Sequence, residues 1–106
     1  MQEQFILMTG PCVIESKELL IQVAETIKPI AEKLNFKFIL KGSFKKANRT
    51  SVNSFTGIGD ELALGYLAEV GKQFGIETIT DIHTTEDAEL AAKYVDYLQI
   101  PAFLSR

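Results

Sequence analysis

The stretch FILMTGPCVIES, residues 5–16, decides the fold prediction for this chain. Its first part, Phe5–Thr9, is an uncharged run of strand length that Gly10 and Pro11 end, and Ser16 is a typical N-cap for a following helix. A continuous apolar run of this kind is typical of a strand that is covered on both faces. The stretch therefore predicts a buried strand that leads directly into a helix.

The same alternation of strand and helix continues along the chain. Apolar residues at three- and four-residue steps predict a first helix from the Ser16 cap to Leu34, with a bend or a split near Lys28 because Pro29 lies inside it. Further strands are predicted at residues 36–40, 76–80 and 97–100, and further helices after a cap at Asp60 and from Thr84 or Thr85 to Ala92. The order βαβαβαβ predicts parallel strands, in a doubly wound sheet or in a (β/α)8 barrel.

Four strands make half of a (β/α)8 barrel, which needs eight strands and about 250 residues. The predicted fold class is therefore α/β, the N-terminal half of a TIM barrel, with residues 1–106 as one partial, truncated domain that holds strands 1 to 4. A half-barrel leaves two strand edges unpaired, so the isolated chain is expected to be unstable or to associate.

Composition restricts the classes of function. The 106 residues are 46% hydrophobic and 24% charged, as in a globular domain. No apolar run approaches the roughly 20 residues of a membrane-spanning helix, and no basic region followed by an apolar one begins the chain, so a cytoplasmic location is expected. One cysteine and one histidine exclude an internal disulfide and a multi-histidine metal site.

A cluster of basic residues contrasts with the rest of the chain. Residues 41–49 contain four basic side chains and no acidic one, whereas the net charge of the whole chain is −3. Nucleic-acid or membrane binding usually needs a basic face spread over a domain, so a small anion is the favoured partner. Both candidate folds bind ligands at the carboxyl ends of their strands, and this cluster follows the second strand. A solvated loop, or an ion pair of Arg49 with Asp60 or Glu61, is the alternative.

Four motifs carry a resemblance to a known family. GPCVIES, LKGSFKKANRTSVNSFTGIG, TDIH and QIPAFLSR, in this order and spacing, resemble the N-terminal part of 3-deoxy-D-manno-octulosonate 8-phosphate synthase over essentially all 106 residues. KANRTS followed by SFTGIG is the most specific piece, because the related synthase of the aromatic-amino-acid pathway typically carries KPRTS instead. The resemblance implies a (β/α)8 enzyme, usually tetrameric, that condenses phosphoenolpyruvate with arabinose 5-phosphate for lipopolysaccharide synthesis. The alternatives are a non-catalytic half-barrel that binds phosphorylated ligands, or itself, and the related aromatic-pathway synthase, which uses erythrose 4-phosphate.

The resemblance also implies roles for individual residues. Lys41 and Lys46 would lie along phosphoenolpyruvate and the sugar aldehyde, and the planar guanidinium of Arg49 suits the sugar phosphate. Without the family, Asp81 and His83 share one face of a strand, which fits a structural pair as well as a catalytic one. The implied catalytic residues are Lys41, Lys46, Asn48 and Asp81; the implied substrate-binding residues are Ser43, Arg49, Thr50, Ser51, His83, Gln99, Pro101, Ala102 and Arg106.

Cys12 has two interpretations. A lone cysteine is most often a small, buried, apolar residue. The family, however, has a metal-free form with asparagine at this position and a metal-dependent form with cysteine, so the resemblance implies that Cys12 binds zinc, iron or manganese in the full-length enzyme. The other ligands of that family, a histidine, a glutamate and an aspartate, belong to later strands. Weak metal binding or none is therefore expected for the 106 residues alone.

Overall fold

The computed structural model of the chain describes residues 4–44 and 59–101, in which strands and helices alternate as the sequence predicts. None of the helices in these two ranges combines the length and the apolar character needed to cross a membrane. The strands are β1 (Ile6–Thr9), β2 (Lys37–Lys41), β3 (Glu77–Asp81) and β4 (Tyr97–Gln99), and the helices are α1 (Lys17–Leu34), α2 (Asp60–Phe74) and α3 (Thr85–Ala91).

The strands form one parallel sheet in the order β1-β2-β3-β4. Every crossover moves one strand further in the same direction, and connections between parallel strands are right-handed, so all three helices lie on the same face of the sheet. A doubly wound sheet instead reverses its strand order part-way and carries helices on both faces. The strand order therefore agrees with half of a (β/α)8 barrel and rejects the doubly wound alternative.

The hydrophobic core lies between the sheet and its helices. Leu40 of β2, Leu20 of α1 and Leu64 of α2 are all fully buried in one apolar cluster. Burying a side chain of this size contributes about 1.5–3 kcal/mol to folding. Because this packing fixes the helices on one face, the opposite face of the sheet stays available to line the interior of a barrel.

The helix ends follow the sequence signals with one exception. Ser16 caps α1, its hydroxyl oxygen accepting the Leu19 N–H at 3.1 Å, and α1 continues through Pro29 without being split. The predicted Asp60 cap of α2 is wrong, because Gly59 holds the capping position with a φ of 117° and Asp60 is the first helical residue. The carboxylate of Asp60 then lies in the first turn, where it interacts favourably with the helix dipole.

Candidate functional site

Three polar residues end three neighbouring strands. Lys41, Asp81 and Gln99 are the last residues of β2, β3 and β4. Asp81 lies opposite Gln99, and Lys41 lies opposite Ile79, two positions before Asp81. Opposite residues, and residues two apart in a strand, share a face of the sheet. Lys41, Asp81 and Gln99 therefore form a strand-end cluster on the face away from the helices.

Asp81 contacts the single histidine of the chain. Oδ2 of Asp81 lies 3.3 Å from Nε2 of His83, and their side chains are only 16% and 14% exposed. The other carboxylate oxygen, Oδ1, is shielded from solvent and accepts no hydrogen bond from the described residues. A shielded carboxylate beside an imidazole can accept a hydrogen bond from a ligand hydroxyl or take part in proton transfer, once a ligand lies within reach.

Asp87, which is not among the predicted site residues, holds the segment that carries His83. Asp87 is only 3% exposed. Its carboxylate accepts a hydrogen bond from the backbone N–H of His83 at 3.0 Å. In return the Asp87 N–H donates to the Thr84 hydroxyl oxygen at 3.1 Å. The pattern Thr84-x-x-Asp87 resembles a capping box, and it signals the Thr84 cap; a capping box would direct the Asp87 carboxylate to the Thr84 N–H, so the bond to the His83 N–H has no such signal.

Substitution of Asp87 by alanine should lower the free energy of unfolding by about 1–3 kcal/mol, because the His83 N–H would lose its acceptor in a buried position. Asp87→Asn keeps one acceptor oxygen and should cost less. Urea unfolding of both variants checks this, with the exposed neighbour substitution Glu86→Ala as a control. Equal stability of Asp87→Ala and Glu86→Ala would contradict the role given to Asp87.

Hydrogen bonds connect the segments that follow β1, β2 and β3. The Ile14 N–H donates to the Ser43 carbonyl oxygen at 2.8 Å, which joins the segment after β1 to that after β2. The buried Thr80 hydroxyl donates to the Gly42 carbonyl oxygen at 2.6 Å, which joins β3 to the same segment. These bonds keep the carboxyl ends of the strands in a fixed arrangement around the strand-end cluster.

The two ends of β2 differ in their electrostatics. At the amino end, Lys37 forms an ion pair of 2.7 Å with Glu77, and Glu77 also accepts the Tyr97 hydroxyl at 3.2 Å. The hydrogen bond to Glu77, together with the attraction between the charges, raises the pKa of Lys37 above its usual value. At the carboxyl end, no carboxylate of the described residues pairs with Lys41. Lys41 thus carries a positive charge that forms no ion pair within the described ranges, at the end where a barrel binds ligands.

The remaining predicted site residues fall into two groups. Ser43, His83 and Pro101 follow β2, β3 and β4 by two residues each, so the structure brings them to the same edge as the strand-end cluster. The others lie outside the described residues: Lys46, Asn48, Arg49, Thr50, Ser51, Ala102 and Arg106. The roles given to that second group, and the ion pair considered for Arg49, stay predictions.

Cys12 lies in the segment after β1 and is exposed, so its interpretation as a buried apolar residue is wrong. Within residues 4–44 and 59–101, no group of three or more histidine, cysteine, aspartate or glutamate side chains is placed to hold a metal ion. The described residues therefore do not make a metal site by themselves, although the exposed thiol remains accessible to a ligand.

Comparison with known proteins fits this arrangement of strands and polar residues. The sequence profile described as the DAHP synthetase I family matches residues 1–106, the whole chain. The chain belongs to the DAHP synthetase I family. This membership agrees with the family resemblance that the four sequence motifs carry.

Three similar proteins carry the same name, 2-dehydro-3-deoxyphosphooctonate aldolase. The protein from Helicobacter hepaticus is 54% identical over 101 residues, which are 95% of this chain and 37% of the relative. A Campylobacter jejuni protein is 50% identical over 104 residues, 98% of this chain and 38% of its own length. The Variovorax paradoxus protein is 48% identical over 106 residues, 100% of this chain and 37% of the relative. The chain thus spans less than two fifths of the length of these relatives.

Proposed function

We propose that the intact protein containing these residues condenses phosphoenolpyruvate with D-arabinose 5-phosphate and water, giving 3-deoxy-D-manno-octulosonate 8-phosphate and inorganic phosphate. In this reaction the methylene carbon of phosphoenolpyruvate attacks the sugar aldehyde, water adds at the neighbouring carbon, and the carbon–oxygen bond to phosphate breaks. The names of the three relatives support a phosphorylated octonate as the product.

The positive charge of Lys41, which forms no ion pair with the described residues, is the observation that carries the proposal. Two multiply charged anions repel each other strongly when they are held side by side, and fixed cations remove that repulsion. In the sequence of this chain, three further basic residues follow Lys41: Lys45, Lys46 and Arg49. A site for two phosphorylated reactants is the function that this distribution of charge supports best.

Each part of the cluster has a chemical role in the proposal. Lys41 and Lys46 neutralise phosphoenolpyruvate and polarise the aldehyde, and Arg49 and Arg106 bind phosphate oxygens through their guanidinium groups. Asp81, whose Oδ1 accepts no hydrogen bond from the described residues, orients a sugar hydroxyl. The further substrate contacts proposed are those of Ser43, Asn48, Thr50, Ser51, His83, Gln99, Pro101 and Ala102.

We further propose that Cys12 contributes one ligand to a divalent metal in the intact protein, since its thiol is exposed in the segment after β1. A thiolate suits zinc or ferrous iron, which can act as a Lewis acid when bound. The described residues supply no second and third ligand beside it. The roles given to Lys41, Asp81 and the arginines do not depend on the metal.

Turnover with different sugars tests the proposed reaction. The intact protein should release inorganic phosphate from phosphoenolpyruvate when arabinose 5-phosphate is added, and mass spectrometry should find an eight-carbon product. The 106 residues alone should bind phosphoenolpyruvate without turnover. Turnover with erythrose 4-phosphate alone would transfer the assignment to the aromatic-pathway synthase, and turnover with neither sugar would refute the proposal.

A further inference from the structure

The backbone ladder between β2 and β3 ends just before the segment that follows β2. Its last opposite pair is Lys41 and Ile79. The next residue, Gly42, still donates its N–H to the Ile79 carbonyl oxygen at 3.2 Å. The Gly42 carbonyl oxygen, however, accepts the side-chain hydroxyl of Thr80 at 2.6 Å. A side chain therefore continues the connection between the two strands one residue beyond the ladder.

The hydrogen bond from Thr80 to Gly42 lies in the interior of the protein. Thr80 is fully buried. It lies between Ile79 and Asp81 in β3, so its side chain is on the other face of the sheet, the face that the helices cover. Water does not readily replace a hydroxyl in such a place, and a buried carbonyl that loses its donor is costly.

Gly42 is confined from the direction of β1 as well. A Cβ atom at position 42 would lie 2.8 Å from Cγ1 and 2.9 Å from Cδ1 of Ile14, which is itself fully buried. The Ile14 N–H donates to the Ser43 carbonyl oxygen at 2.8 Å. Because β2 lies between β1 and β3, Gly42 is held between Ile14 and Thr80. Its peptide group has little room to move while both contacts are present.

A fixed Gly42 carbonyl also fixes the residue that follows it. The peptide bond is planar, so the Gly42 carbonyl group and the nitrogen and Cα atoms of Ser43 lie in one plane. The hydrogen bond from Thr80 therefore helps to define where the backbone of Ser43 lies. Ser43 is only 8% exposed and is among the residues proposed to contact substrate. Displacing such a group by about 1 Å can cost about a hundredfold in rate.

We propose that Thr80 is a positioning residue of the anion site, whose hydroxyl holds the Gly42 peptide group so that Ser43 is in place to bind phosphoenolpyruvate. Thr80 does not contact the substrate itself, because its side chain lies on the face that the helices cover. The identity of the anion rests on the proposed function, whereas the positioning of Ser43 by Thr80 does not depend on it.

Two substitutions of Thr80 separate its hydroxyl from its shape. In the intact protein, Thr80→Val keeps the shape and loses the hydroxyl, so KM for phosphoenolpyruvate should rise by about tenfold or more. Thr80→Ser keeps the hydroxyl, so KM should stay within about threefold of that of the unsubstituted protein. Poorer folding alone would lower kcat with the folded fraction and leave KM unchanged. An unchanged KM in Thr80→Val would therefore overturn the proposal.

Thr78→Val is the matched control. Thr78 lies two residues before Thr80 on the same face of β3 and is 2% exposed. Its hydroxyl donates to the Asp96 carboxylate at 3.3 Å, near the amino end of the strand. This variant also loses a buried hydroxyl, but at the end of β3 away from Ser43, so KM should again stay within about threefold. Equal increases of KM in Thr78→Val and Thr80→Val would count against a specific role of Thr80.

Hydrogen exchange tests the positioning of Ser43 without any turnover. The Ile14 amide donates to the Ser43 carbonyl, so its exchange rate reports whether that contact stays closed. Mass spectrometry of the intact protein at single-residue resolution should find exchange at Ile14 faster by about tenfold or more in Thr80→Val than in Thr80→Ser or Thr78→Val. Equal exchange in the three variants would refute the positioning role. If the unsubstituted protein turned over neither sugar, the proposed reaction would fail, while faster exchange in Thr80→Val would still uphold the positioning of Ser43.

Discussion

Replacing Lys41 by methionine in the intact protein should lower kcat/KM for phosphoenolpyruvate by about a hundredfold or more, the usual loss when a fixed group that stabilises developing or bound negative charge is removed. Lys41 ends β2 beside Asp81 and Gln99, and no carboxylate in the described ranges neutralises it. Its charge is therefore available to an anion. Steady-state kinetics with arabinose 5-phosphate in excess measures the loss.

Lys37→Met is the matched control. Lys37 lies on the same strand and on the same face as Lys41, but at the amino end, where Glu77 pairs with it at 2.7 Å. Ion pairs that solvent reaches contribute little to stability, so this variant should fold and keep kcat/KM within about threefold. Equal losses of kcat/KM in the two variants would contradict a site at the carboxyl end of β2.

The substitution Gly10→Ala should cause the largest loss of stability, about 3 kcal/mol or more. A Cβ atom at position 10 would overlap the carbonyl oxygen of Lys41, and backbone cannot move aside as a flexible side chain can. The ends of β1 and β2 would have to separate, which would also displace the strand-end cluster. Equilibrium unfolding in urea measures the change in the free energy of unfolding.

The substitution Gly65→Ala should instead raise the free energy of unfolding in the same assay. Gly65 lies within α2, and a Cβ atom there would meet no atom within 4 Å. Alanine is a better helix former than glycine, so this variant should gain about 0.5–1 kcal/mol. If Gly10→Ala kept the stability of the parent protein, the close approach between the segment after β1 and the end of β2 would not be a constraint on the fold.

The succession of elements could be predicted from the sequence because each one carries its own local signal. The uncharged run at residues 5–9 predicted β1, and the three- and four-residue spacing predicted α1 and α2. The predicted burial of β1 is wrong for the described residues, because Ile6 and Met8 are 56% and 52% exposed. Gly75 ends α2 in the left-handed conformation, with a φ of 66°, as its position after the apolar spacing predicts. The cap of α2 was assigned wrongly because Asp60 is a common capping residue, whereas the backbone needs a φ of 117° that glycine adopts without strain.

Contacts between distant residues could not be predicted in the same way. Asp81 and Gln99 were both identified as strand-end residues, but only the register shows that they lie directly opposite each other. The Thr80 hydroxyl bond to the Gly42 carbonyl joins two strands, and nothing in either local sequence indicates it. The pattern in residues 84–87 does indicate the cap that Thr84 makes, but it does not indicate that the Asp87 carboxylate accepts the N–H of His83, one residue before the cap.

One titration tests most directly whether the carboxyl ends of the strands form the anion site. Phosphoenolpyruvate should be added to the nitrogen-labelled 106-residue chain while the amide chemical shifts are followed by NMR. The largest changes are expected at Lys41, Gly42, Asp81 and Gln99, which the structure places at one edge of the sheet. Largest changes at Lys37 and Glu77, at the other end of the strands, would contradict the account.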